Sequence, residues 1–373
     1  MIYFDNAATT KTKPEEVYSA IDYYLREVGI SPGRGSYQLG IEASRMLYKA
    51  RTTVGKFFGM TNPERVVFTK NSTEAINLFF DGYLKKGDHV LISCYEHNAV
   101  LRPLQHLKNL GIIDYSVIER NDLDAAPEDL YKKYCKPNTK LIAFTLASNL
   151  SGRIIFRPEV YQYFHMKGIT TFMDSSQGGG KIRPQMKTQY IDFLAFTGHK
   201  DLFGIPGSGG LCCESKVHFE PLIQGGTGIH GETYVNPDVF PEGYEAGTVN
   251  MPAIYALCAG IQYIERHPEN IQKEEELTAR LISGLQSLSN IVLFDPDVRR
   301  VPTCCFNVIG MSSDKVIAAL DNKGICARGG IHCAILAHES LGTVKTGAVR
   351  LSINSFNSIK EVDYVLNVIA NLR

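Results

Sequence analysis

The stretch Ile191-Asp192-Phe193-Leu194-Ala195-Phe196-Thr197-Gly198-His199-Lys200 joins a short apolar segment to a lysine. Another apolar segment, Gly168–Met173, ends in the same manner at Asp174. Short apolar runs of this kind are typical of strands that are buried on both faces. We therefore expect an amine and a carboxylate at the ends of two buried strands of one sheet.

Working outward from these two segments, apolar runs alternate with helix-like segments from about Tyr18 to Val249. The predicted strands are Arg65–Thr69, His89–Ser93, Leu141–Leu146, Ile169–Met173, Phe193–Phe196 and Gly210–Cys213. Ser72–Tyr83 and Pro158–Lys167 are predicted helices, because apolar spacing follows a Ser or Pro start. The alternation indicates an α/β fold with a mostly parallel sheet and helices on both faces. Ligands bind beyond the carboxyl ends of such strands.

The length of 373 residues favours two domains. We predict a large domain over residues 16–255 and a smaller α+β domain formed by residues 1–15 and 256–373. The charged run Glu274–Leu288 is predicted to be an amphipathic helix whose polar face is solvated.

The charge and cysteine content limit the possible partners. Lys plus Arg and Asp plus Glu both total 39, so nothing favours nucleic acid or an anionic membrane as a partner. The sequence has no recognisable signal peptide and no bilayer-spanning apolar run, and its nine cysteines favour reduced thiols in a cytoplasm. The Cys212-Cys213 and Cys304-Cys305 doublets are expected in the core. Cys326, His332, Cys333 and His338 lack a repeated Cys-x-x-Cys pair, and no metal site is predicted.

Several polar residues follow the predicted strands: Thr73, His97, Asn149, Asp174 and Lys200. Their convergence at one edge of the sheet matches what pyridoxal phosphate needs. The lysine amine joins the aldehyde of this cofactor, and a carboxylate keeps its pyridine nitrogen protonated.

The phosphate of such a cofactor needs donors at a helix start. Phe68–Asn77 is predicted as strand, turn and helix start, with Ser72 and Thr73 as donors. The alternative is that Ser72 or Thr73 caps the helix. Thr197 and His199 can supply further donors.

The ring of the cofactor needs a stacking partner and hydrogen-bond donors. His97 follows a strand, where its imidazole can stack on the ring and move a proton; a loop histidine with a structural hydrogen bond is the alternative. Asn149 and Gln177 can donate to the ring hydroxyl, although both also fit ordinary turn chemistry.

These motifs together resemble the fold-type I, class V aminotransferase family, and within it the cysteine desulfurases and selenocysteine lyases. The resemblance spans the whole chain. The matching motifs are Asp5–Thr10, Asn71–Asn77, Glu96-His97, Asp174–Gln177, Thr197–Lys200, Glu245–Thr248, Arg328–Ala334 and Arg350–Ser352.

The resemblance implies a role for each matching residue. Lys200 would be the Schiff-base lysine and general base, Asp174 the partner of the pyridine nitrogen and His97 the stacking residue. Gln177 and Asn149 would reach the ring hydroxyl. The phosphate ligands would be Ser72, Thr73, Thr197, His199 and, from the partner subunit of a homodimer, Thr248.

The resemblance also implies that Arg350 receives the substrate carboxylate, that Asn149 and Arg328 are further substrate-binding residues, and that Cys333 is the nucleophile. Arg328 or His332 would be the cationic group that favours the Cys333 thiolate. A buried structural cysteine is the alternative for Cys333. The expected reaction converts cysteine to alanine and a persulfide on Cys333, from which a sulfur-acceptor protein takes the sulfur. A selenocysteine lyase, a transaminase or a β-lyase are the alternatives.

Two segments depart from the family pattern. Asp201–Gly207 replaces a short hydrophobic pair followed by Gly-Pro, and Ala334–Ser340 after the cysteine is unusual. These departures leave the substrate and partner open.

Overall fold

This computed structural model describes residues 1–33, 35 and 37–372. The strands are β1 Ile2–Tyr3, β2 Val66–Thr69, β3 Asp88–Ser93, β4 Ile113–Ile118, β5 Thr139–Thr145, β6 Thr170–Asp174, β7 Phe193–Thr197, β8 Gly209–Cys213, β9 Ile291–Leu293, β10 Thr303–Val308, β11 Ile325–Cys326, β12 Arg328–Gly330 and β13 Ala348–Ser352. The helices are α1 Glu15–Tyr23, α2 Gln38–Phe57, α3 Ser72–Tyr83, α4 Asn98–Asn109, α5 Pro127–Tyr134, α6 Pro158–Met166, α7 Gly179–Ile182, α8 Met251–Arg266, α9 Glu269–Gln286, α10 Ser313–Asp321, α11 Ile335–Leu341 and α12 Ile359–Ala370.

The largest sheet has seven strands in the order β2-β8-β7-β6-β5-β3-β4. β8 is antiparallel to both of its neighbours, and the other pairings are parallel. The α/β fold with a mostly parallel sheet is therefore confirmed.

The apolar run that ends in β7 is buried on both sides of this sheet. Leu194 and Phe196 pack into one core cluster, and Phe193 and Ala195 pack into another on the opposite face. Successive side chains of a strand point to opposite faces, so a strand covered on both faces must be apolar at every position.

The predicted elements of this sheet lie within two residues of their observed bounds. α3 begins and ends as predicted, and α6 ends one residue early. The edge strand β4 was not predicted, because four of its six residues are only half-buried and its sequence carries Asp, Tyr and Ser.

A second sheet has the order β12-β13-β10-β9 and is antiparallel throughout. Its apolar face packs with α9 and α12 around a separate core that includes Phe4, Phe306 and Leu351. The short strand β1 pairs in parallel with β11, which joins the start of the chain to this region.

The proposed boundary between residues 255 and 256 falls within α8. Ile254 and Leu257, on either side of it, are buried in the same core cluster beside the seven-stranded sheet. Because the helix is continuous there, we now propose that the large domain extends to the end of α8. The division into two domains itself stays a prediction.

The polar face of α9, which was predicted to be solvated, includes one buried carboxylate. Glu274 is 2% exposed, and its carboxylate lies 2.5 Å from the Lys181 ammonium. Both cysteine doublets lie in the core as predicted, since Cys212, Cys213, Cys304 and Cys305 are all 0% exposed.

Candidate active site

The carboxyl ends of β6 and β7 bring Asp174 and Lys200 to one edge of the sheet. Asp174 is the last residue of β6 and pairs in register with Ala195 of β7. Lys200 follows the end of β7 by three residues. The parallel pairing therefore orients both strands so that the acid and the lysine leave the sheet on the same side.

Lys200 is adapted to react as a neutral amine. Burial and the nearby Arg350 guanidinium lower its pKa to about 8, against the opposing influence of Asp174 and Asp201. A lysine of ordinary pKa is almost entirely charged near neutral pH, and only the neutral amine attacks a carbonyl or takes a proton.

Asp174 is held by its own turn. Its Oδ1 accepts hydrogen bonds from the Ser176 amide at 3.0 Å and from the Ser176 hydroxyl at 2.5 Å. The Ser176 oxygen also lies 2.7 Å from the Ser72 hydroxyl at the start of α3. A continuous polar chain therefore connects the acid to the predicted phosphate site.

The start of α3 is capped by Asn71, so the alternative in which Ser72 or Thr73 caps the helix is wrong. The Asn71 side chain accepts from the Glu74 amide at 2.9 Å, and Glu74 accepts from the Lys70 amide at 2.6 Å. Ser72 is buried and Thr73 is exposed. Neither hydroxyl is used for capping.

The segment before the lysine also carries donors. The Thr197 hydroxyl is buried and has no hydrogen-bond partner among the described residues. His199 Nδ1 lies 3.0 Å from the Thr9 hydroxyl, and burial, with Lys200 and Lys13 nearby, lowers the His199 pKa to about 4. The imidazole of His199 is therefore neutral near pH 7.

His97 is half-buried and is the N-terminal cap of α4, where its Nδ1 accepts from the Ala99 amide at 3.0 Å. Burial and the charge of Lys200 lower its pKa to about 4. A neutral imidazole that accepts at Nδ1 carries its proton on Nε2. His97 thus presents an N–H donor at its outer edge.

Glu96 was not singled out from the sequence by itself. It is 0% exposed, and its Oε1 accepts from the Ser93 hydroxyl at 2.5 Å and the Thr145 amide at 2.9 Å. Burial raises the pKa of Glu96 to about 8, and the charge of Asp174 adds to this. The Glu96-His97 dipeptide was the only sequence feature that pointed to this residue, and no local sequence pattern indicates that Glu96 is fully buried.

The two predicted ring donors are partly engaged. Asn149 Nδ2 donates to the His332 carbonyl at 2.6 Å, whereas its Oδ1 is buried without a partner in the described part of the chain. Gln177 Nε2 donates to the Ala7 carbonyl at 2.7 Å. Each amide nitrogen retains a second N–H.

Arg350 lies in β13 and is 2% exposed. Its Nη2 pairs with Asp5 at 2.6 Å, and its Nη1 donates to the Asn149 carbonyl at 2.9 Å. Its Nε is buried and finds no partner within residues 1–33, 35 and 37–372. The Arg350–Asp5 contact joins residues 345 positions apart, and no local sequence pattern predicts it.

Cys333 is exposed on a strained loop. His332 and Cys333 have φ values of 53° and 57°, in the left-handed region that non-glycine residues rarely adopt. The Cys333 carbonyl accepts from the Asn98 amide at 2.8 Å, and the His332 ring lies 2.9 Å from the Ala348 carbonyl. These contacts fix the loop between α4 and β13.

The expectation that His332 is a cationic neighbour of Cys333 is wrong. Burial, with the charge of Arg350, lowers the pKa of His332 to about 3, so its ring is neutral near pH 7. Arg328 is exposed and lies directly opposite Arg350 in the β12–β13 pairing. It is therefore the remaining candidate for the positive charge.

Thr248 lies on a surface cleft beside the turn that leads into α3. It is exposed and lines a cleft of about 490 Å³ together with Lys70, Asn71 and Glu74. A contribution of Thr248 to the site of a partner subunit stays a prediction.

Across the described parts of the chain, no helix combines the length and apolarity needed to cross a membrane. The same residues hold no group of three or more His, Cys, Asp or Glu side chains arranged to bind a metal ion.

Comparison with known proteins identifies the family. Residues 2–365 match the aminotransferase class-V family. Two similar relatives are named probable cysteine desulfurases. That of Pyrococcus abyssi is 34% identical and the alignment covers 100% of this chain and 94% of the relative. That of Methanothermobacter thermautotrophicus is 33% identical, with coverage of 97% and 92%.

The fold agrees with this match. The solved structure of cysteine desulfurase from Thermococcus onnurineus NA1 superimposes with a TM-score of 0.90 at 32% identity, and the alignment covers 99% of this chain and 94% of that one. The chain therefore belongs to the class-V aminotransferase family.

Proposed function

We propose that this protein is a pyridoxal-phosphate-dependent cysteine desulfurase, which converts L-cysteine to L-alanine and retains the sulfur as a persulfide on Cys333. The relatives that bear this name match nearly the whole chain. One structural observation carries the proposal. The Cys333 loop is hydrogen-bonded to Asn98, next to His97, and to Asn149, so it lies beside two of the proposed cofactor contacts.

The residues around Lys200 fit the cofactor. The Thr197 hydroxyl and Asn149 Oδ1 are buried without partners among the described residues, as expected for groups that await a polar ligand. The proposed contacts are Lys200, Asp174, His97, Gln177, Asn149, Ser72, Thr73, Thr197, His199 and the partner subunit's Thr248. When bound, pyridoxal phosphate supplies an electron-accepting ring that acidifies the Cα proton of an amino acid.

Lys200 is the proposed general base. Its lowered pKa makes a neutral amine available at moderate pH, and the proposed site places it close to the substrate Cα. Asp174 is the proposed partner of the pyridine nitrogen, and two hydrogen bonds from Ser176 hold its carboxylate in place.

Cys333 is the proposed nucleophile. Its thiolate attacks the sulfur of the substrate, a sulfur–sulfur bond forms, and the carbon–sulfur bond breaks. The electron pair of the broken bond goes to the substrate Cβ, which takes a proton and becomes the methyl group of alanine. Arg328 is the cation proposed to favour the thiolate, since His332 is neutral.

Arg350 is proposed to bind the substrate carboxylate. A planar guanidinium presents paired N–H donors that match a carboxylate better than a lysine does. The buried Nε without a partner is the donor that remains available.

We also propose a homodimer. Tyr48 of α2 and Ile229 of the glycine-rich segment Gln224–Gly231 are exposed, and both line a cleft together with Thr248. Exposed apolar residues beside a predicted cofactor ligand support a subunit interface on this face.

All nine cysteines are free, which supports a reducing, cytoplasmic location. A sulfur-acceptor protein is proposed to take the persulfide sulfur from exposed Cys333.

Product analysis tests the proposal. The purified protein loaded with pyridoxal phosphate is incubated with L-cysteine and, separately, L-selenocysteine, and alanine, pyruvate and keto acids are measured. Alanine from cysteine that disappears in Cys333→Ala supports the desulfurase. Pyruvate with ammonia, or a keto acid, as the main product would instead indicate a β-lyase or a transaminase. Alanine from selenocysteine alone would indicate a selenocysteine lyase.

A further inference from the structure

The N-terminal segment Asp5–Lys13 contacts the proposed site at several points, although the proposed reaction gives it no role. The Thr10 hydroxyl donates to the Lys200 carbonyl at 2.8 Å. The Ala7 carbonyl accepts from Gln177 at 2.7 Å. This segment is therefore part of the wall of the site.

Asp5 makes the most consequential of these contacts. Its Oδ1 lies 2.6 Å from Arg350 Nη2, so a carboxylate of the chain itself already binds the guanidinium that is expected to bind the substrate carboxylate. The only other group to which the Arg350 guanidinium donates among the described residues is the Asn149 carbonyl, and its Nε remains without a partner.

The two members of this pair differ in their access to solvent. The Arg350 side chain is 2% exposed, whereas that of Asp5 is 20% exposed. The Asp5 backbone is fixed by its bridge to Ser352, beside β1 and β13. A rotation of the Asp5 side chain alone can therefore move its carboxylate toward water, while the Arg350 guanidinium stays buried in the site.

We infer that Asp5 is a specificity-determining residue that holds the place of the substrate carboxylate on Arg350. An incoming carboxylate must displace the Asp5 carboxylate or bind beside it against the repulsion of like charges. Asp5 thereby weakens the binding of simple anions, and it disfavours amino acids that bring a second negative charge. The inference rests on the proposed function, because it concerns how that site admits its substrate.

The test uses acetate, which carries the carboxylate without the rest of an amino acid. Thermal unfolding of the cofactor-free protein is followed over a range of acetate concentrations at constant ionic strength, for the unchanged protein and Asp5→Asn. Asparagine keeps the size and one acceptor oxygen but removes the charge. A charge within about 4–6 Å of a carboxyl group typically shifts its ionisation equilibrium by about one to three powers of ten. By the same electrostatic argument, we expect acetate to bind Asp5→Asn at least about tenfold more tightly.

Three controls make the result specific. Asp5→Ser also removes the carboxylate but leaves a smaller hydroxyl side chain, and it should likewise increase the affinity for acetate. Asp22→Asn, at an exposed pair with Arg26, removes one negative charge elsewhere and should have no effect. Adding Arg350→Lys to Asp5→Asn should abolish the gain. Unchanged or weaker acetate binding by both Asp5 variants would overturn the inference.

A second experiment measures the kinetics of the reaction with L-cysteine. The KM for L-cysteine should fall in Asp5→Asn, and L-aspartate should become a measurable competitor. If the unchanged protein forms no alanine from cysteine, the proposed function fails, whereas the acetate titration still decides the role of Asp5.

Discussion

The amide of Asn98 donates to the carbonyl of Cys333 at 2.8 Å, which ties the thiol-bearing loop to the helix that His97 caps. This bond joins the second, smaller sheet region to the carboxyl edge of the large sheet. This hydrogen bond therefore fixes the position of the proposed nucleophile, Cys333, relative to the proposed ring-stacking residue, His97.

We predict that Lys200→Ala abolishes turnover and the absorbance change that accompanies covalent attachment of pyridoxal phosphate. The lost amine is the group proposed to join the cofactor aldehyde, and we expect no surface lysine to replace it. Absorbance spectra and alanine formation are compared with those of Lys187→Ala, an exposed lysine that should behave like the unchanged protein. Retention of both signals in Lys200→Ala would show that another amine is used.

The rate at which the cofactor-free protein takes up pyridoxal phosphate should rise with pH through a midpoint near 8. The pKa of Lys200 is lowered to about 8, so its reactive neutral form increases as the pH rises through that value. An ordinary lysine would give a midpoint above about 10. Stopped-flow absorbance between about pH 6 and pH 10 measures the profile, and a rate that does not rise below about pH 9 contradicts this assignment.

Arg350→Lys should raise the KM for L-cysteine at least about tenfold and change kcat much less. A charge-assisted hydrogen bond contributes about 1.5–3 kcal/mol, and a lysine cannot reproduce the planar pair of donors. Steady-state kinetics across a wide cysteine range separates the two constants. An unchanged KM would show that the substrate carboxylate binds elsewhere.

Cys333→Ser should lose alanine formation from cysteine but retain part of the activity toward selenocysteine. Selenolate leaves carbon more readily than thiolate does, so that reaction depends less on a protein nucleophile. The measurement is alanine released from each substrate, with Cys135→Ser, another cysteine that is not fully buried, as the control. Equal retention of both activities would remove Cys333 from the mechanism.

The pair formed by Arg51 and Glu245 should stabilise the segment that carries Thr248. Their side chains are 6% and 5% exposed and lie 2.5 Å apart, and Glu245 also accepts from the Phe68 amide. Arg51→Met leaves a buried carboxylate without its partner and should lower the free energy of unfolding by about 3 kcal/mol. Urea denaturation measures the change, and Arg26→Met at an exposed surface pair should change it little.

The sequence predicts well what depends on local patterns. The uninterrupted apolar run of β7 and the serine at the start of α3 are both recognisable in the sequence. The predicted bounds of these two elements therefore lie within one residue of the observed bounds. β4 was missed because a half-buried edge strand tolerates polar residues. The capping role of Asn71 was missed because asparagine, serine and threonine compete for the same position in one run.

The candidate site was predictable only in part. Lys200 and Asp174 stand out because each lies at the carboxyl end of a buried apolar run. The pairing of Asp5 with Arg350 depends on the meeting of two distant segments, and the neutrality of His332 depends on burial. Neither property has a local signal in the sequence.

The most direct measurement is mass spectrometry of the intact, cofactor-loaded protein and its peptides after incubation with L-cysteine, without a reducing agent. We predict that the peptide containing Cys333 gains the mass of one sulfur atom, that the gain is reversed by dithiothreitol, and that it requires Lys200. If alanine accumulates while Cys333 stays unmodified, or the added sulfur appears on another cysteine, the central claim is contradicted.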